Sequence, residues 1–112
     1  GKQMRDFVYV KDIVRWMREL MDRRPESGIY NMGFGTARSW LDLASNAFQA
    51  MDLPIKIDWI DVPVEMRPRY QYFTEAKIDR LMALGLSQPQ WSLERGVSDY
   101  IESYLKKEDP YL

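Results

Sequence analysis

Only three stretches of this chain have the composition of a β-strand, at residues 7–10, 28–33 and 55–59, and none is longer than six residues. Three strands so short make a poor sheet on their own. The first two are expected to complete a sheet whose other members lie outside the chain. Helical patterns fill the space between them. Ile13, Trp16, Met17, Leu20 and Met21 recur at i, i+3, i+4, i+7 and i+8, with Asp12 as the expected N-cap and Pro25 as the stop. Ser39 and Asp42 form a Ser-x-x-Asp capping box ahead of Leu41, Ala44, Ala47, Phe48 and Met51. Thr74 is expected to cap a third helix running to Leu84, with Gly85 as its C-terminal glycine and Leu86 folding back onto it. Ser92 is expected to cap a last helix carrying Leu93, Val97, Tyr100, Ile101, Tyr104 and Leu105. The fold class is mixed α/β, about three short strands and four helices. Between residues 61 and 72 no period holds, and Arg67, Arg69, Tyr70 and Gln71 close an irregular loop of the kind that carries function.

At 112 residues with 46% hydrophobic side chains, the chain is one domain of ordinary size with material for a core. A net charge of −1 gives no basic excess for nucleic acid, and no apolar run approaches the ~20 residues that span a bilayer. A cytoplasmic home is the default expectation. The chain has neither cysteine nor histidine, which excludes disulfides, Cys- or His-ligated metal, and a Ser-His-Asp triad. No metal site and no catalytic residue are expected.

Gly33-Phe34-Gly35 follows a strand-like run and precedes a helix, as a dinucleotide loop would. Arg38 stands where the third glycine is needed, and Asp52 follows a helix instead of the next strand. No tyrosine has a lysine four residues on, so no Tyr-x-x-x-Lys pair is present. Carboxylate pairs such as Glu75 and Asp79 sit at helical spacing and read as solvated faces. The residues best suited to an anion are Arg5, at the mouth of the first β-prone run, and Arg69, beside Tyr70. A guanidinium fork matches phosphate geometry and stays charged at any working pH.

Residues 5–10 (Arg-Asp-Phe-Val-Tyr-Val) followed by Asp12, and residues 29–35 with the Ser39 helix, resemble the C-terminal part of extended short-chain dehydrogenases/reductases acting on nucleotide sugars. Residues 57–63, 69–76 (Arg-Tyr-Gln-Tyr-Phe-Thr-Glu-Ala), the 81–85 turn and residues 93–100 narrow the resemblance to the ADP-heptose 6-epimerase branch. The resemblance implies that residues 1–112 are a single C-terminal substrate-binding region, part of a Rossmann-type enzyme whose N-terminal NADP-binding domain is absent from this chain. It implies an NADP-dependent inversion at C6″ of ADP-D-glycero-D-manno-heptose for lipopolysaccharide core synthesis. NADP would belong to the full-length enzyme, with none held by this chain. Carried over by motif, Arg5 would bind the substrate diphosphate and Tyr70 would line the same pocket, with Arg69 and Gln71 as adjacent substrate-binding candidates. Thr36 and Arg38 lie in a loop that varies within the family. The implied partners are the ADP-sugar, the N-terminal Rossmann domain and further copies of the chain, with no nucleic acid or membrane. Two other readings fit the residues: the same region of a UDP- or dTDP-sugar epimerase or dehydratase, and a free-standing interaction domain using residues 67–72.

Overall fold

A computed structural model describes residues 2–109. Its elements are β1 (Met4–Arg5), α1 (Val10–Arg23), β2 (Arg38–Ser39), α2 (Trp40–Ala50), α3 (Asp79–Met82) and α4 (Leu93–Tyr100). A single 3₁₀ turn occupies Arg67–Arg69, and a π-turn, Ile101–Leu105, prolongs α4. The molecule is a slab of 46 × 42 × 20 Å. Its radius of gyration is 16.7 Å, against about 13 Å for a compact 100-residue domain.

The two β-strands pair antiparallel, Met4 opposite Ser39 and Arg5 opposite Arg38. Met4 also bridges to Phe73, accepting from Thr74 N at 3.1 Å and donating to Tyr72 O at 2.7 Å. That bridge draws the irregular loop against Arg5. None of the expected strands forms among the described residues: 7–10, 28–33 and 55–59 are not strands. Residues 28–33 and 55–59 have no partner strand there, and β composition without a ladder leaves a segment irregular. Val10, assigned above to a strand, instead begins α1.

The helices follow their caps more closely. Ser39 accepts from Asp42 N while the Asp42 carboxylate accepts from Ser39 N, both at 3.0 Å, the full capping box of α2. Ser92 caps α4 by accepting from Arg95 N. Gly85, at φ 76°, occupies the left-handed position expected of it, and Leu86 behind it is buried. Two expectations fail. The N-cap of α1 is Tyr9, and Asp12 lies within the helix, fully buried. Thr74 caps nothing: α3 starts only at Asp79, because residues 73–76 are held by Met4 and by two carboxylates described below.

The core gathers around Trp16, Leu81 and Leu86, with Ile13, Leu20, Tyr30 and Met32 packed against it. Trp16 donates its Nε1 proton to Ser87 O at 2.8 Å, so the largest buried ring leaves no polar atom unmet. Met17 and Met21, assigned to this face by period alone, are exposed. A second contact joins α2 to α4, leaving between them an apolar cavity of about 350 Å³ bordered by Phe7, Leu43, Ala47, Val97 and Tyr100.

Long-range cohesion comes largely from carboxylates that clasp backbone amides. Asp6 accepts from Phe34 N (2.7 Å), Gly35 N (2.9 Å) and Ala76 N (3.0 Å). Asp12 accepts from Gln90 N and Trp91 N and pairs with Arg15 at 2.7 Å. Glu75 takes Ala37 N at 2.8 Å, and Glu19 takes both the amide and the hydroxyl of Ser87. Charge-assisted bonds of this kind are about twice as strong as neutral ones. They do here what a sheet ladder does elsewhere.

Candidate functional site

Arg5 and Tyr70 lie 65 positions apart in the chain, yet the Met4–Phe73 bridge sets them face to face. The Arg5 guanidinium stands 5.8 Å from the centre of the Tyr70 ring, within cation–π range. One of its nitrogens donates to the Gln71 carbonyl and another to Met4 O at 2.7 Å. The ring stacks edge-on with Tyr72 at 5.4 Å. Arg5 is thus oriented by backbone carbonyls, with no carboxylate paired to it among the described residues. A guanidinium held this way keeps its charge available to an anion.

Tyr70 also borders an open cavity of about 490 Å³ between α2 and residues 57–66. Trp40, Trp59, Asp58, Asp61 and Pro63 line it. Trp40 is fixed from behind by Phe7, whose ring meets it at 5.1 Å and 81°. The cavity therefore offers aromatic faces and two carboxylates beside one cation, a set suited to a ligand with a flat ring, hydroxyls and an anionic group.

Of the four substrate-side candidates, the structure brings three together. Gln71 takes part through its main-chain oxygen, and its side chain accepts from the Thr74 hydroxyl at 3.4 Å. Arg69 ends the 3₁₀ turn, exposed, and its side chain makes no hydrogen bond or ion pair among the described residues. Arg38 does not face this site. It pairs with Glu94 at 2.7 Å and with Asp42 at 3.3 Å, and the Glu94 carboxylate raises its pKa while Arg38 lowers that of Glu94. Trp40, Trp59, Asp58 and Asp61 escaped sequence reasoning. The alternation of Ile57 and Trp59 with Asp58 reads as a half-buried strand, and only the folded loop turns these residues onto a common wall.

The glycine loop does not fit a dinucleotide. Its Phe34 and Gly35 amides, the donors a pyrophosphate would need, are committed to the Asp6 carboxylate. A Cβ on Gly33 would fall 2.6 Å from Asp6 Oδ2, so that glycine serves the clasp. No group of three or more His, Cys, Asp or Glu residues able to hold a metal occurs among the described residues.

A second polar cluster lies away from this cavity. Asp99 accepts from the Tyr9 hydroxyl at 2.6 Å and pairs with Lys11. Its pKa is lowered, first by Lys11 and then by Tyr9. Burial, and then Asp99, push the Tyr9 phenol well above its usual range. Lys11 sits among the rings of Tyr9, Trp91 and Tyr104 at 4.9–5.7 Å. The cluster ties α1 to α4.

No family model matches the chain. Curated proteins do, along its entire length. An ADP-L-glycero-D-manno-heptose-6-epimerase of Fusobacterium nucleatum subsp. nucleatum is 46% identical over 118 aligned residues, covering 100% of this chain and 36% of that protein. Proteins of the same name from Nitratidesulfovibrio vulgaris are 45% identical (strain DP4, 35% of its length) and 44% identical (strain Hildenborough, 35%). The chain spans about a third of the length of these relatives and matches their C-terminal portion.

Proposed function

Since this chain belongs to the same family as the ADP-L-glycero-D-manno-heptose-6-epimerases, we propose that it forms the C-terminal, substrate-binding region of such an epimerase. In this reading it receives the nucleotide sugar, and the oxidation and re-reduction at C6″ through NADP are the task of the N-terminal Rossmann part of the same polypeptide. The observation that carries the reading is the Arg5 guanidinium held over the Tyr70 ring at the lip of the cavity. Arg5 supplies a permanent positive charge to the diphosphate. Tyr70 braces that cation and offers a phenol to the ligand. Arg69 adds positive charge on the same loop, and the Gln71 carbonyl fixes the angle of Arg5.

The chain contributes binding without catalysis, because the described acids and bases include no Tyr-x-x-x-Lys pair and no histidine. No helix of the described residues is long and apolar enough to cross a membrane. The test is calorimetry on the intact epimerase that contains this chain. ADP-sugars are expected to bind and UDP-sugars to bind much more weakly. Arg5→Ala should weaken ADP-sugar binding by about 10- to 150-fold, the loss of one charge-assisted contact of about 1.5–3 kcal/mol. Equal affinity for the UDP-sugar would point to the neighbouring UDP-sugar epimerases. An unchanged affinity in Arg5→Ala would make Arg5 a purely structural cation.

A further inference from the structure

Arg5 is followed directly by Asp6, a charge of opposite sign beside the residue that would meet an anion. The two are turned to backbone and not to each other. Arg5 donates to the Met4 and Gln71 carbonyls. Asp6 Oδ1 accepts from Phe34 N, and its Oδ2 accepts from Gly35 N and Ala76 N. Gly35, at φ 81°, lets two successive amides converge on one carboxylate. Backbone dipoles thereby answer the negative charge without drawing on Arg5.

The placing of these bonds along the chain gives them a consequence for the site. Arg5 lies between Met4 and Asp6, and both neighbours are fastened to residues 72–76. Met4 N donates to Tyr72 O at 2.7 Å, Met4 O accepts from Thr74 N at 3.1 Å, and Asp6 accepts from Ala76 N at 3.0 Å. The two Met4 bonds are main chain to main chain and ask for no particular side chain. The third depends on the Asp6 carboxylate, which holds the 33–35 loop as well. Tyr70 and Gln71, which present a ring and a carbonyl to Arg5, hang directly from this seam. The seam has little slack, because a Cβ on Gly33 would come within 2.4 Å of Ala76 Cβ and 2.6 Å of Asp6 Oδ2.

We infer that Asp6 is a positioning residue of the substrate site. Its carboxylate sets the span between Arg5 and Tyr70, and through it the geometry in which Arg5 meets the diphosphate. The inference rests on the functional reading above. Asparagine is the revealing replacement. It keeps one acceptor oxygen for three amides and turns an NH₂ group toward a donor, so the seam loosens. It also removes a negative charge close to an anion site. Electrostatics alone therefore predicts tighter binding of a diphosphate, whereas lost positioning predicts weaker binding.

Calorimetry on the intact epimerase with its NADP bound, titrated with ADP-glucose, reads the sign. Asp6→Asn should weaken binding by about fivefold or more, and in an Arg5→Ala background the same change should alter affinity by less than about twofold, since residues that act through one contact do not add. Gly33→Ala crowds the same carboxylate with no change of charge and should show the same dependence on Arg5; it decides the question where Asp6→Asn does not fold. Unchanged or tighter binding in Asp6→Asn would overturn the inference. Equal losses with and without Arg5 would overturn it too, by making Asp6 a general prop of the fold. Absence of ADP-glucose binding by the unaltered enzyme would refute the functional reading and this inference together. Binding that Arg5→Ala weakens, with no coupling to Asp6, would refute this inference alone.

Discussion

Replacing Asp12 with alanine probes the fold at its most exposed dependency. The side chain is completely buried and serves two amides, Gln90 N at 3.1–3.2 Å and Trp91 N at 3.0 Å, besides its ion pair with Arg15. Alanine orphans both amides, and each buried donor left without a partner costs about 1–3 kcal/mol. Arg15 loses its best anion, keeping Gln88 O at 2.9 Å and Glu19 at 3.6 Å. Breaking one side of a buried pair costs about 3–5 kcal/mol, and this overlaps the orphaned amides instead of adding to them. A loss of about 3–5 kcal/mol is therefore expected, a large part of the 5–15 kcal/mol that holds a typical domain. Asp12→Asn retains one acceptor oxygen and should lose less than half as much. Urea denaturation of the intact protein, followed at the buried Trp16, measures both. A loss below about 1 kcal/mol in Asp12→Ala, or equal losses in the two variants, would refute the idea that this carboxylate locks residues 90–91 to α1.

Gly33→Ala should cost about 1–3 kcal/mol by overpacking, since the new Cβ would lie 2.4 Å from Ala76 Cβ and 2.6 Å from Asp6 Oδ2; an unchanged urea midpoint would show that the loop yields freely. Ser39→Ala removes half of the capping box of α2 and should cost about 1 kcal/mol, read as a lowered helix signal at 222 nm in mild denaturant. Acid should destabilise the protein in a defined window. Glu19 is held below its usual 4.5 by Ser87, and Asp99 below its usual 3.8 by Lys11. Depressed acids stabilise fully above their ordinary values, and that stability is lost as pH falls through the folded ones. Denaturation midpoints should hold steady from pH 7 down to about 5 and then fall, less steeply in Asp99→Asn; a flat profile to pH 3 would contradict the assignment.

What the sequence discloses and what it hides divide along physical lines. Ser39, Asp42, Ser92 and Gly85 act on backbone within four residues of themselves, so their roles are visible in a short window. The proximity of Arg5 and Tyr70 came from family motif and not from any local pattern. Strand composition at residues 28–33 and 55–59 records a preference that only a neighbouring strand can satisfy. Asp6 and Asp12 were hidden for the opposite reason. An aspartate at the start of a helix, such as Asp12, suggests a cap, and Asp6 sits in a β-prone run; both instead satisfy amides, 28 to 79 positions away, and no spacing rule reports such a partner. Thr74 was misread because its segment is held by Met4 and Asp6 before a helix can begin.

The clasps also govern the order of events when the chain is made. Asp6 waits for Ala76, Asp12 for Trp91, and Tyr9 for Asp99, closures of 70 to 90 positions. Loop closure over such distances must be met before any of these bonds gives a return, which slows folding. On a ribosome adding about 5–20 residues per second, α1 therefore emerges seconds before the residues that fasten it. Its apolar side chains, Trp16 and Leu20 among them, stand open throughout that interval.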